Sequence, residues 1–282
     1  MKGPSASSPP SETARQAVLT AVYGRHAEQL DRTFASFARV KNCSLHAFVV
    51  GDTLPRNQAP GIRYHLRPPD PRFLHPLRDV DFRRWLFVDE VEADFVLVVD
   101  GADVLCLRPL EPLSDLLKGG AVGAVVEHNG GRYLETGQYT SNFVNAGVTF
   151  WNVAASRELR QKIVARGRRH FRNLIDDQLA LNELLHTEWF DRLTLLPCQY
   201  NYRGSLGPRP FGWPRVHSLD GVRIYHNKHW LNEARARAET PAHGRAVPLP
   251  TDAPPPGPWQ QRWRRLKTRL SRKGLPPWWP RG

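Results

Sequence analysis

"FVLVVDGADVLCLRPL", Phe95 to Leu110, decides how this chain is read. An apolar run, Phe95 to Val99, ends on Asp100; Asp103 follows, and the chain then turns apolar again. A short continuous apolar run bounded by a Gly-containing turn reads as a strand buried on both faces. Side chains on one strand face recur every second residue, so Asp100 and Asp103 cannot share a face of a straight strand. The spacing becomes workable if the strand stops at Asp100 and the chain turns at Gly101, where glycine tolerates unusual dihedrals. Asp100 then leans in from the strand tip and Asp103 from beyond the turn. Two carboxylates at a strand exit make half a site for a hard divalent cation, whose other ligands are substrate phosphates. The pair alone reads equally well as a turn cap and a solvated acid.

Working outward, "QAVLTAVYG" (residues 16–24) is a first strand closed by glycine, and "SLHAFVVGD" (44–52) a second. Between them Leu30, Phe34, Phe37 and Val40 fall at helical spacing, which predicts an amphipathic helix over 26–40. "DPRFLHPLRD" (70–79) reads as loop, and "DFRRWLFVDEV" (81–91) as a helix delivering the chain to the opening strand. "PLEPLSDLLKGG" (109–120) is a short helix with a Gly-Gly stop, followed by a strand in "AVGAVVEH". "NFVNAGVTFWNV" (142–153) is a strand pair, or one strand interrupted at Asn145-Ala146-Gly147. Two helices, "SRELRQKIVARGRRHF" and "DDQLALNELLH", are capped by Ser156 and by aspartate. "LTLLPCQYNYRG" and "VRIYHNKHW" close the folded part as strand-to-loop segments. Strands alternating with helices predict an α/β fold: a mixed, mostly parallel sheet flanked by helices, with ligands at the carboxyl ends of strands.

Composition bounds the rest. A length of 282 residues with 40% hydrophobic content supports one sizeable α/β core. Three dispersed cysteines without CxxC spacing argue against a disulfide framework or a zinc site and fit a reducing, cytoplasmic compartment. No secretory h-region or membrane-spanning run is present in this sequence. Of the net charge of +13, eight Arg and Lys with no Asp or Glu lie within residues 257–282, leaving a mild +5 elsewhere. The expected organisation is a disordered stretch over 1–14, an α/β domain over 15–239, a Pro-rich linker over 240–258 and a basic tail over 259–282. In the tail, Trp259, Trp263, Leu266 and Leu270 fall on one helical face among basic residues. That pattern fits peripheral attachment to an anionic membrane surface, with a disordered basic tail an equal alternative. No base-reading module is present, so no specific nucleic acid is expected.

"VLVVDGADVLCLRPLEPL" resembles the metal-binding segment of GT-A fold nucleotide-sugar glycosyltransferases, most of all glycosyltransferase family 8 and its relatives. Their Asp-x-Asp is Asp-Gly-Ala-Asp here: Asp103 matches the second aspartate, Gly101 stands at the first, and Asp100 is displaced by one. Four further segments match in the family's order. The resemblance implies that Thr20, Ala21, Tyr23 and Gly24 hold the base and ribose, although Tyr23 reads equally as a core aromatic. It implies that Arg84, with Arg83 nearly as good a choice, reaches the nucleotide. Asn145, Ala146 and Gly147 would line the donor sugar, and Asp177 and Gln178, at the start of a helix, its hydroxyls and anomeric face. In "HNKHW", where His229 stands in place of the family's proline, His226 would be the third metal ligand beside Asp100 and Asp103, and Lys228 a diphosphate partner. The implied chemistry is Mn²⁺- or Mg²⁺-dependent transfer of a hexose from a UDP-sugar donor to a glycan or lipid-linked acceptor hydroxyl, with retention of configuration. The rival readings are a non-catalytic sugar-nucleotide-binding remnant and a basic binding module. A nucleotidyltransferase or phosphatase could also use paired aspartates, but no Gly-rich phosphate loop or second acidic cluster supports one.

Overall fold

A computed structural model describes residues 14–73, 76–127, 131–132, 139–140, 143–169, 176–203 and 219–226. Lys228, the Pro-rich linker, the basic tail and nearly all of the N-terminal stretch lie outside the described residues. No helix among the described residues is long and apolar enough to cross a membrane.

The sheet grows from the apolar runs. β1 (Gln16–Tyr23), β2 (Cys43–Val50), β3 (Ile62–Arg67) and β4 (Phe95–Asp100) are mutually parallel in the spatial order β3-β2-β1-β4. β9 (Val144–Asn152) runs antiparallel between β4 and β6 (Val122–Val126), and β10 (Leu193–Leu195) adds to the outer edge parallel to β6. Away from this sheet, β5 (Val104–Cys106) pairs with β11 (Ile224–His226), and β7 (Gly131–Arg132) with β8 (Tyr139–Thr140). The chain progresses from β1 through β2 to β3, then returns to place β4 on the other side of β1. The crevice at such a reversal, outside the carboxyl ends of the strands, is where open α/β sheets bind ligands.

Both faces of the sheet are covered at its central strands, which is why β1, β4 and β6 read as nearly unbroken apolar runs, whereas the edge strands β3 and β10 are partly exposed. On one face α1 (Pro76–Phe87), α3 (Arg157–Arg169) and α4 (Asp176–Thr187) bury Phe82, Trp85, Leu159, Ile163, Leu181 and Leu184. On the other, Leu30, Phe34, Phe37 and α2 (Leu113–Leu117) cover Val18, Leu97, Val99 and Val148. Each fully buried side chain of this size contributes about 1.5–3 kcal/mol of transfer free energy.

Two expectations are corrected and a third is made specific. The helix expected over 26–40 is two 3-10 segments, Gly24–Gln29 and Phe34–Arg39. Its apolar face was read correctly, because Leu30, Phe34, Phe37 and Val40 are all buried. The two segments are separated by a turn over residues 30–33, at the end of which Thr33 donates its hydroxyl hydrogen bond to the Gly101 carbonyl. The loop expected over 70–79 is helical from Pro76. Proline suits a helix's first turn, and Asp79 in that turn accepts a hydrogen bond from the Asp70 amide at 2.6 Å. The interruption expected at Asn145-Ala146-Gly147 is a bulge inside one strand. Between the pairs Ala124–Thr149 and Val126–Val144, β6 advances two residues and β9 five. The three extra residues, an odd number, flip the side-chain alternation: Val144 and Ala146 face the α1 layer, whereas Val148 and Phe150 face the α2 layer. β3, β7 and β8 were not anticipated.

Candidate active site at the carboxyl end of β4

β4 ends at Asp100, a three-residue turn follows, and β5 begins at Val104. The turn therefore brings Asp103 round beside Asp100. The expected reason for Gly101 was its dihedral freedom, but the structure supplies another. A Cβ there would lie 2.7 Å from Thr20 Oγ1, 2.8 Å from Val22 Cγ1 and 2.9 Å from Leu30 Cδ2. Glycine is required because the turn is pressed onto β1 and the first 3-10 region.

β5 then recruits the third group. It pairs with β11 so that Val104 stands opposite His226, which sets the imidazole next to the residue that follows Asp103. His226 Nε2 lies 3.7 Å from Asp100 Oδ2 and 3.6 Å from Asp103 Oδ1. Among the described residues, these three offer ligand atoms all within 4.8 Å of one another. The donor set, two carboxylates and one imidazole, fits Mn²⁺ or Mg²⁺ with phosphate oxygens completing the shell. Burial holds the His226 pKa below its ordinary value of 6.5, against the opposing pull of Asp103. A neutral imidazole is the form that binds a metal. The backbone of β9 passes directly beneath: a Cβ at Gly147 would fall under 3.0 Å from both Asp100 Oδ2 and His226 Cε1.

Arg84 anchors the cluster from α1. Its Nη1 donates to Asp100 Oδ1 and its Nη2 to Asp177 Oδ2 at the start of α4. Arg83 faces away, onto Asp79 and the Pro68 carbonyl. Burial would raise the Asp100 pKa, but Arg84 and then His226 outweigh it and hold the carboxyl below its usual range. For Asp177 burial dominates, and its pKa rises despite Arg84. Asp81, one turn before Arg84, is pushed well up by burial and then by Asp177. Two guanidinium groups thus serve this acidic neighbourhood: Arg84, and Arg78, which pairs with Asp81 at 3.5 Å.

The bulge in β9 forms the other half of the site. Gln178 Oε1 accepts from the Ala146 amide at 3.0 Å and from Asn145 Nδ2 at 3.2 Å, while its Nε2 donates to Glu127 Oε2 at 2.7 Å. Arg203 pairs with the other oxygen of Glu127. Asn145 Oδ1 accepts from the Gly147 amide and from Asn201 Nδ2, both at 2.9 Å. Gln178 is half-buried.

The β1 residues stand alongside. Ala21 is the register partner of Asp100, and Tyr23 and Gly24 follow at the tip of the strand. Tyr23 is half-buried and lies 5.5 Å from the His26 ring between centroids, whereas Thr20 is fully buried beside Gly101. Glu127, Asn201, Arg203 and Asp81 were missed by the sequence reading. Glu127 carried a usable signal: "AVGAVVE" is an apolar run ending on an acid, as "FVLVVD" is. Asn201 carried none.

No protein-family model matches the chain, and no curated protein matches it. Solved structures do. A galactosyltransferase, LgtC, in complex with donor and acceptor sugar analogs shares 16% identity, over 80% of this chain and 98% of that one, with a TM-score of 0.53. Mouse xyloside xylosyltransferase 1 shares 14% identity over 75% of this chain and 97% of that one, with a TM-score of 0.51. The bifunctional glycosyltransferase WbbM shares 14% identity at a TM-score of 0.53, and this chain spans 51% of its length. At such identities the likeness is one of fold, and the chain has the GT-A fold of these glycosyltransferases.

Proposed function

We propose that this protein is a metal-dependent glycosyltransferase that moves a hexose from a UDP-sugar to an acceptor hydroxyl, on a glycan or a lipid-linked molecule. The observation that carries the reading is the convergence of Asp100, Asp103 and His226 beside the β1–β4 crevice of a GT-A fold. The LgtC structure of the same fold was determined with donor and acceptor sugar analogs, which favours a nucleotide-sugar donor and a glycan acceptor here.

A bound Mn²⁺ or Mg²⁺ would neutralise the charge that gathers on a departing diphosphate, as Lewis acid and template. The protein's own residues would do the rest. Asp103 and His226 present bare oxygen and nitrogen lone pairs toward that position, and Arg84 fixes Asp100 by its other oxygen. Tyr23 and Gly24, at the tip of β1, would receive the nucleoside. Gln178 would face the sugar, its amide held by the Ala146 amide on one side and by Glu127 on the other. Lys228, two residues past His226, would approach the diphosphate. Retention of configuration needs no strong enzymic base, since the leaving phosphate takes the acceptor's proton on the same face.

Thermal melts with UDP-glucose, UDP-galactose and other nucleotide sugars, with and without Mn²⁺, test the donor and the metal together. A ligand at one hundred times its Kd stabilises by about 2.7 kcal/mol, which raises Tm by about 5–10 °C for a domain of this size. UDP-sugars should stabilise the wild-type protein only with Mn²⁺, and Asp103→Ala should abolish the effect. Stabilisation that ignores Mn²⁺, or survives Asp103→Ala, would remove the metal from the account.

A further inference from the structure

Besides Arg84, which bridges Asp100 and Asp177, a second side chain, Asn201, joins the candidate metal ligands to the β9 bulge. It lies just past a 3-10 turn (Cys198–Tyr200) and is 4% exposed. Its place is set by backbone: the Tyr202 amide donates to the Ile224 carbonyl, and the His226 amide to the Tyr202 carbonyl, both at 2.9 Å. Asn201 therefore travels with β11, whatever its side chain does.

The direction of every hydrogen bond through Asn201 follows from a group that cannot reverse. The Gly147 backbone N–H is only a donor, and it donates to Asn145 Oδ1 at 2.9 Å. That atom is therefore the amide oxygen, and the Asn201 atom that meets it at 2.9 Å must be the Nδ2 amide nitrogen. Asn201 then presents its oxygen to His226 Nδ1 at 3.0 Å. An amide oxygen accepts only, so His226 Nδ1 must carry the proton. Nε2 is left with a bare lone pair facing Asp100 Oδ2 at 3.7 Å and Asp103 Oδ1 at 3.6 Å. The Ala146 N–H fixes Gln178 by the same logic, donating to Oε1 at 3.0 Å, so that Nε2 points to Glu127. Two backbone amides of the β9 bulge thus orient Gln178 directly, and the imidazole through Asn145 and Asn201.

We propose that Asn201 is the positioning residue of this site: it holds His226 in the Nδ1–H tautomer with Nε2 bare toward the two carboxylates, and it ties that imidazole to the sugar-side pair Asn145 and Gln178. Its effect on the cation rests on the proposed metal dependence; its effect on the tautomer does not. Partners of this kind typically change metal affinity 10–100-fold when removed.

The test begins without metal or mutation. In histidine-selectively ¹⁵N-labelled, metal-free protein above pH 7, His226 should show the Nδ1–H tautomer; an Nε2–H tautomer would overturn the proposal. Asn201→Ala should mix the two tautomers and weaken Mn²⁺ binding, read by calorimetry on the enzyme without donor, by 10–100-fold. Asn201→Asp keeps an acceptor for Nδ1–H but loses the donor to Asn145. It should retain the tautomer and Mn²⁺ affinity within about threefold while weakening UDP-sugar binding in the presence of Mn²⁺. Wild-type tautomer and affinity in Asn201→Ala would refute the role. If the wild-type protein shows the Nδ1–H tautomer but binds no Mn²⁺, the metal reading fails and the tautomer lock stands.

Discussion

Gly147→Ala adds one methyl group at the point where β9 passes under the candidate cation site. The new Cβ would meet Asp100 Oδ2 and His226 Cε1 under 3.0 Å, whereas ordinary contact begins near 3.4 Å. One or both groups must retreat, by about 1 Å. Neither is free to do so cheaply: Asp100 is held by Arg84 and His226 by Asn201. Overpacking of this kind costs about 1–3 kcal/mol of stability. The same displacement spreads the ligand atoms, and a 10–100-fold loss of Mn²⁺ affinity, about 1.4–2.7 kcal/mol, is expected. The assay pairs urea denaturation of the metal-free protein with Mn²⁺ titration calorimetry. Gly123→Ala is the control, because the nearest atoms to its Cβ would be those of Leu117, Phe150 and Leu196 at 3.1–3.3 Å, in the core. It should lose stability without losing Mn²⁺ affinity. Wild-type Mn²⁺ affinity in Gly147→Ala would refute the reasoning, since the methyl would then have been absorbed without moving a ligand.

Arg84→Met removes the buried guanidinium between Asp100 and Asp177 and should cost about 3–5 kcal/mol in urea unfolding, because it strands a buried carboxylate. Adding Asp177→Asn should recover part of that loss, and a double variant no better than the single would count against the pairing. A second effect concerns pH. Burial, then His65 and Arg63, push the His46 pKa from 6.5 down to about 4, and burial also lowers His65 and His186. These groups are neutral in the fold and protonate more readily in the unfolded chain. The contribution of these histidines is therefore complete above pH 6.5 and is lost as pH drops toward 4; His46 alone accounts for at most about 3 kcal/mol. Urea midpoints that stay flat between pH 7 and 4.5 would contradict this, and His46→Gln should flatten the profile.

The parts of the fold legible in the sequence are those written in local pattern. The run from Phe95 to Val99, the two aspartates and the turn between them are legible because strand length, period and a glycine are local properties. Gly101 was located correctly for the wrong reason, since the crowding by Thr20, Val22 and Leu30 comes from segments some seventy to eighty residues away. The choice between Arg83 and Arg84 was open for the same reason. Adjacent residues on a helix differ only in direction, and the direction that counts is set by Asp100 and Asp177. The bulge in β9 shows as Asn-Ala-Gly in sequence, but the three-residue slip against β6 belongs to the ladder. Asn201 had no signature at all: its work is done through Asn145 and His226, fifty-six and twenty-five residues distant. Positioning residues of this kind are visible only once the chain is folded.

The central claim is that a divalent cation held by Asp100, Asp103 and His226 serves transfer from a UDP-sugar. Its most direct test is release of UDP from UDP-glucose or UDP-galactose by the wild-type protein and by Asp103→Ala, with Mn²⁺ and with a chelator. The account predicts Mn²⁺-dependent release by the wild type that is lost in Asp103→Ala. Equal release from both proteins, or release unaffected by the chelator, would contradict it.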